Sequence, residues 1–147
     1  MDTCASLGCS IEACLTAFST HSIHGVSAVL RRHRPDVRVV AVEPAESPVL
    51  SGGPTGSHRI EGIGIGFLPP LWDRAQVDAI EPVSSADAND MARRLAREEG
   101  LFAGTSSGAN VVASLRVAER LGRDATVVTL MVTPSQAEQI ALASAEG

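Results

Sequence analysis

The chain has 147 residues, 44% of them hydrophobic, and a formal net charge of −5; it is long enough for one domain with a real core and too apolar to be disordered. It lacks the basic density of a nucleic-acid face, any apolar run near the length of a membrane span and a basic-then-apolar leader, so neither nucleic acid nor membrane is expected as a partner and a cytoplasmic location is the default. All twelve basic residues are arginine, so chemistry that needs a Schiff-base lysine cannot come from these residues alone.

Cys4, Cys9 and Cys14 recur every five positions, which is neither a CxxC pair nor a zinc-ligand spacing, so no metal site is expected. Residues 1–7 show no periodicity and are expected to be disordered. Ile11 to Ala17 reads as a short apolar strand, Phe18-Ser19-Thr20-His21-Ser22 as a polar turn, and His24 to Arg34 as a helix that Pro35 stops. Val26, Val29 and Leu30 would form the inner face of that helix, with arginines outside. Val37 to Val42 is the clearest strand, β-branched and nearly continuously apolar, as a buried parallel strand should be. Strand, helix and strand within about thirty residues make a βαβ unit with parallel pairing.

Residues 43–71 hold six glycines and five prolines, and a loop this long inside a compact domain is usually functional. Val77 to Val83 reads as a short strand. Ser84 and Ser85 offer an N-cap with Asp87 near the capping-box position, and Ala88, Met91, Ala92, Leu95 and Ala96 follow at helical spacing up to Gly100. Gly104 to Asn110 is a small-residue turn before a helix over Ala109–Leu121, and Thr126 to Val132 is a last buried strand. The pattern predicts an α/β fold with three layers, a mostly parallel sheet carrying helices on both faces.

Gly62-Ile63-Gly64-Ile65-Gly66 is not a dinucleotide fingerprint, because its glycines alternate and Pro69-Pro70 prevents a long helix from following. Alternating glycines serve a tight loop or close approach of backbone to a ligand. The turn at 18–22 lies between a strand and a helix start, where an ordinary cap and an anion site both fit. Ser106 and Ser107 sit at another helix start, with capping again the plain account. His33 and His58 read as surface residues.

Three segments in register change these odds: Val42-Glu43-Pro44 with Ser47 to Gly53; His58 to Phe67; and Glu99-Gly100 with Gly104 to Ala109. Together they resemble the C-terminal part of cysteine synthases and cystathionine β-synthases, the fold type II pyridoxal-phosphate enzymes, of the tryptophan synthase β-like large-domain type. The resemblance covers residues 8–132, most of the chain, and leaves 133–147 as an atypical tail. It implies pyridoxal 5′-phosphate as cofactor, with Ser19, Thr20, His21 and Ser22 in the place of the phosphate loop. Phe18, Thr20 and His21 stand there where the family has glycine. It also implies that Ser106 meets the pyridine nitrogen, a neutral partner suited to loss of a β-substituent, and that Gly62 and Gly64 line the amino-acid substrate pocket. No catalytic residue is assigned, since the family's lysine has no counterpart in this sequence. The expectation is a fragment of a β-replacement enzyme, joining a serine-derived substrate to sulfide or a thiol, inactive by itself. The alternative is a non-catalytic module, or half of a split enzyme, that docks onto a homologous subunit or an N-terminal fragment in trans.

Overall fold

A computed structural model describes residues 11–16 and 20–131, with side chains from residue 23 onward. The elements run β1 (Ile11–Thr16), α1 (Thr20–His33), β2 (Arg38–Pro44), a single 3-10 turn (Arg74–Gln76), β3 (Ala79–Val83), α2 (Ser85–Glu99), α3 (Thr105–Leu121) and β4 (Thr126–Thr129). The four strands form one sheet in the order β3-β2-β1-β4, and every neighbouring pair is parallel. The boundaries expected at residues 7 and 132 lie outside the described residues.

Alternation along β2 divides the core. Val40 and Val42 face a cluster with Ile60, Val83, Ala88, Ala109, Ala113 and Val117 under α2 and α3. Val39 and Ala41 face the other way, onto Ile23 of α1 and Val77. A strand buried on both faces needs the apolar continuity that its sequence displays, and the helices on both faces confirm the three-layer expectation.

Two helices begin four residues earlier than their patterns suggested. Thr20, His21 and Ser22 form the first turn of α1 rather than the turn before it. Thr105 to Gly108 likewise form the first turn of α3, with Gly104 as N-cap. Serine and threonine suit this position because first-turn N–H groups lack intrahelical acceptors anyway. The inner face of α1 differs as well: Ile23 and Ser27 are buried, whereas Val29 is 54% exposed. Strand ends moved by one or two residues, and β4 stops at Thr129.

The capping residues of α2 behave as expected. Ser84 Oγ accepts from the Asp87 N–H at 3.1 Å, and Gly100 closes the helix in the left-handed conformation at φ 68°. The Asp87 carboxylate does not complete a capping box; it pairs with Arg116 of α3 at 2.9 Å. Where α2 and α3 cross, Gly108 lets the backbones touch: a Cβ there would lie 2.1 Å from the Ala88 carbonyl oxygen and 3.0 Å from Ala92 N.

Candidate functional site

Ligands of open parallel sheets gather outside the carboxyl ends of the strands, near the point where strand order reverses. Here the reversal falls at β1, which has β2 on one side and β4 on the other. α1 begins just after β1 ends. The start of α3 is tied to the same edge, because buried Asn110 donates from Nδ2 to the carbonyl of Leu130, just beyond β4, at 2.8 Å. The Asn110 Oδ1 is buried without a hydrogen-bond partner.

The first turns of α1 and α3 share an electrostatic character. Neither contains an acidic residue, and Gly104 makes no side-chain cap bond to α3. Both therefore present backbone N–H groups at the positive end of a helix, a setting that favours a phosphate or another electron-rich group. Of the residues expected to hold phosphate, Thr20, His21 and Ser22 lie in the first turn of α1, while Ser19 lies outside the described residues. Ser106 is half-buried in the first turn of α3, and its neighbours are engaged elsewhere.

The segment from His58 to Gly66 hangs from helix starts by its backbone. The Arg59 N–H donates to Ser85 Oγ at 2.8 Å, and the Glu61 N–H donates to Thr105 Oγ1 at 3.1 Å. Between these anchors Ile60 is 2% exposed, packed into the core under α2 and α3. Gly62, Gly64 and Gly66 all have positive φ, at 83°, 65° and 83°, the left-handed region that other residues avoid. The alternation of glycines is thus a conformational requirement of this turn.

His58 departs from the surface role expected of it. It is half-buried, takes a 3.3 Å bond from the Ile60 N–H at Nδ1, and places Nε2 2.8 Å from the Gly64 carbonyl oxygen. Beside it, Glu46 accepts from the Ser85 N–H at 2.7 Å. Partial burial raises the Glu46 pKa, but the N–H groups of Ser85 and Glu46 itself, the Ser85 hydroxyl and the His58 ring outweigh that effect and hold it below the ordinary carboxylate value. One strand residue anchors the preceding turn. Glu43, 2% exposed, accepts from the Leu50 N–H at 2.8 Å and from the Ser51 hydroxyl.

Sequence reasoning missed Thr105, Ser85, His58 and Glu43 as anchors. Ser85 stood out only as a cap and Glu43 only as part of a motif. The signal for Thr105 was a hydroxyl beside glycines, but its partner lies 44 residues away. Among the described residues no cluster of histidine, cysteine or acidic side chains could hold a metal ion, and no helix is long and apolar enough to cross a membrane.

The model of the pyridoxal-phosphate-dependent enzymes matches residues 3–132, and the chain belongs to that family. Within it the relatives are cysteine synthases and kindred fold type II enzymes. Cysteine synthase of Staphylococcus aureus is 42% identical over 133 residues, 90% of this chain and 42% of that protein. Cysteine synthase of Entamoeba histolytica superposes with a TM-score of 0.77 at 33% identity, over 85% of this chain and 37% of that one. The O-acetylserine-dependent cystathionine β-synthase of Helicobacter pylori does so with a TM-score of 0.81 at 33% identity, over 90% and 43%. The chain therefore spans about two fifths of the length of these relatives.

The family cofactor is pyridoxal phosphate, and the residues present fit two of its three attachment points. Two acid-free helix starts suit its anionic and electron-rich groups; the start of α3 has no side-chain cap and is bonded to the positive-φ glycine turn through Thr105. The third attachment, a lysine, is not among these 147 residues.

Proposed function

We propose that these residues form the phosphate- and substrate-lining part of a cysteine synthase-type β-replacement enzyme, whose Schiff-base lysine comes from another segment or chain. The observation that carries this reading is the 3.1 Å bond from the Glu61 N–H to Thr105 Oγ1, which joins the glycine turn to the α3 start at the carboxyl edge of the sheet. Bound pyridoxal phosphate would supply an electron sink that acidifies the Cα proton of an amino acid and lets its β-substituent leave. The first-turn N–H groups at Thr20, His21 and Ser22, with Ser19 before them, would hold the phosphate. The backbone at Gly62 and Gly64 would line the amino-acid pocket and exclude water from it. The Ser106 hydroxyl would accompany the ring nitrogen, a neutral neighbour that leaves the ring unprotonated. The substrates proposed are a serine derivative bearing a leaving group and a sulfide or thiol.

The test uses the purified 147-residue chain. Titration with pyridoxal phosphate is expected to give saturable binding that inorganic phosphate displaces, with no side-chain adduct after borohydride reduction and no cysteine formed from O-acetyl-L-serine and sulfide. A reducible adduct, or absence of any binding, would refute the proposal. Loss of the ring's spectral shift in Ser106→Ala supports the assignment of Ser106, and an unchanged shift in that variant refutes it.

A second reading, a module that docks onto a homologous subunit or an N-terminal fragment in trans, draws on the exposure of Ile65, Phe67, Leu68, Leu71, Leu101 and Phe102. Such apolar exposure beside a glycine turn is the usual mark of an interaction surface. Mixing the chain with a lysine-bearing N-terminal fragment separates the two readings: restored cysteine formation supports a split enzyme, and a stable but inactive complex supports docking alone.

A further inference from the structure

We infer that His58 is a positioning residue, which fixes the orientation of the Gly64–Ile65 peptide through one particular tautomer of its ring. The inference rests on the reading of Gly62–Gly66 as a wall of the substrate pocket. It starts from two contacts of one imidazole. The Ile60 N–H points at Nδ1, at 3.3 Å, so Nδ1 must carry the lone pair. In a neutral ring the proton then sits on Nε2, where it donates to the Gly64 carbonyl at 2.8 Å. Both ring nitrogens are thereby committed, one to each end of the turn.

The consequence for the turn follows from the planarity of the peptide. With the Gly64 carbonyl drawn to His58, the trans peptide directs the Ile65 N–H to the opposite side. Gly64 cannot avoid this arrangement by shifting, since it is wedged between the ring and Pro44. A Cβ at residue 64 would lie 2.5 Å from His58 Nε2 and 2.6 Å from Pro44 Cγ. The turn has positive φ at three alternate glycines, and glycine backbone is free to rotate unless something holds it. Ser85 and Thr105 hold residues 59 and 61; His58 is the side chain that reaches forward to residue 64.

A ring protonated at both nitrogens would set an Nδ1 proton against the Ile60 N–H and lose that acceptor. The role is therefore that of a neutral, bidentate clamp, which glutamine can imitate. Its amide donates from one atom and accepts on the other without titrating.

Long-range 1H–15N spectra of the wild-type chain read the tautomer directly. A proton on Nε2 supports the inference, and a proton on Nδ1 overturns it. Backbone amide spectra of His58→Gln and His58→Phe provide the second measurement. Phenylalanine fills the space without either hydrogen bond, and it is expected to shift or broaden the amides of residues 61–66. Glutamine is expected to keep them at their wild-type positions. Equal spectra for His58→Phe and wild type would overturn the inference, and the tautomer decides it even if His58→Phe does not fold. O-acetyl-L-serine, added with pyridoxal phosphate, tests the pocket separately. With clamp and pocket both in place, His58→Phe weakens the response of the 61–66 amides about 5–10-fold, the worth of one hydrogen bond, and His58→Gln restores it. If the wild-type amides ignore the ligand yet still follow His58, the pocket reading fails and the clamp stands.

Discussion

Gly108→Ala puts the crossing of α2 and α3 under direct test. The added methyl would stand 2.1 Å from the Ala88 carbonyl oxygen and 3.0 Å from Ala92 N. Both are backbone atoms, so no side-chain rotation relieves the clash. Restoring an ordinary contact requires the helices to part by about 1 Å or more. Overpacking of this kind costs about 1–3 kcal/mol. Movement of the α3 start also strains the bond from the Glu61 N–H to Thr105, adding about 1 kcal/mol. Against this, alanine is favoured over glycine inside a helix by about 1 kcal/mol. The net expectation is a loss of about 1–3 kcal/mol, seen in urea denaturation as a lower midpoint at unchanged slope. Gly25→Ala is the matched control. It lies in α1 with nothing within 4 Å of its Cβ position, so only the propensity gain of about 0.5–1 kcal/mol remains. A Gly108→Ala chain as stable as the wild type would show that the helices separate freely and that their contact does not fix the site.

Other expectations follow from single contacts. Thr105→Val keeps the shape of the side chain but removes the acceptor of the Glu61 N–H; it should cost about 1–2 kcal/mol in chemical denaturation and shift the Gly62 and Gly64 amides in 15N spectra, whereas Thr105→Ser should do neither. Glu43→Ala strands the Leu50 N–H and the Ser51 hydroxyl, with an expected loss of about 2–4 kcal/mol by the same measurement. Glu46, whose folded pKa is depressed, contributes stability that is present above its unfolded value of about 4.5 and is lost as pH falls through the lower folded value. Glu46→Gln should flatten that part of the stability–pH curve, and an unchanged curve would contradict the capping role.

The parts of the fold legible in sequence were those with a period. β2 announced itself because Val39 to Val42, buried on both faces, form an unbroken apolar run, and α2 because Ala88, Ala92 and Leu95 recur along its buried face. The starts of α1 and α3 were illegible for the opposite reason. Threonine, serine and histidine are nearly indifferent to helix formation, and first-turn residues need no apolar period. Val29 was assigned to the inner face by its character, whereas Ile23 and Ser27 occupy it once the helix starts at Thr20. The glycine turn was visible as a composition, and its φ angles gave the composition a cause. The anchors on Ser85, Thr105 and His58 had no such trace, because a side chain bonding a distant backbone amide leaves no pattern in the intervening residues. His58 looked like a surface residue for that reason.

The manner in which that turn is attached has an evolutionary consequence. Ser85 and Thr105 grip main-chain N–H groups, which every residue except proline possesses. The exposed Arg59 side chain is not what the Ser85 bond uses, so position 59 is at liberty to change its chemistry while the scaffold beneath stays still. A saturation library should therefore return almost any residue at 59 and exclude proline at both 59 and 61. A lineage that altered what this surface meets would do so by exchanging such side chains, leaving the two hydroxyls that carry the turn in place.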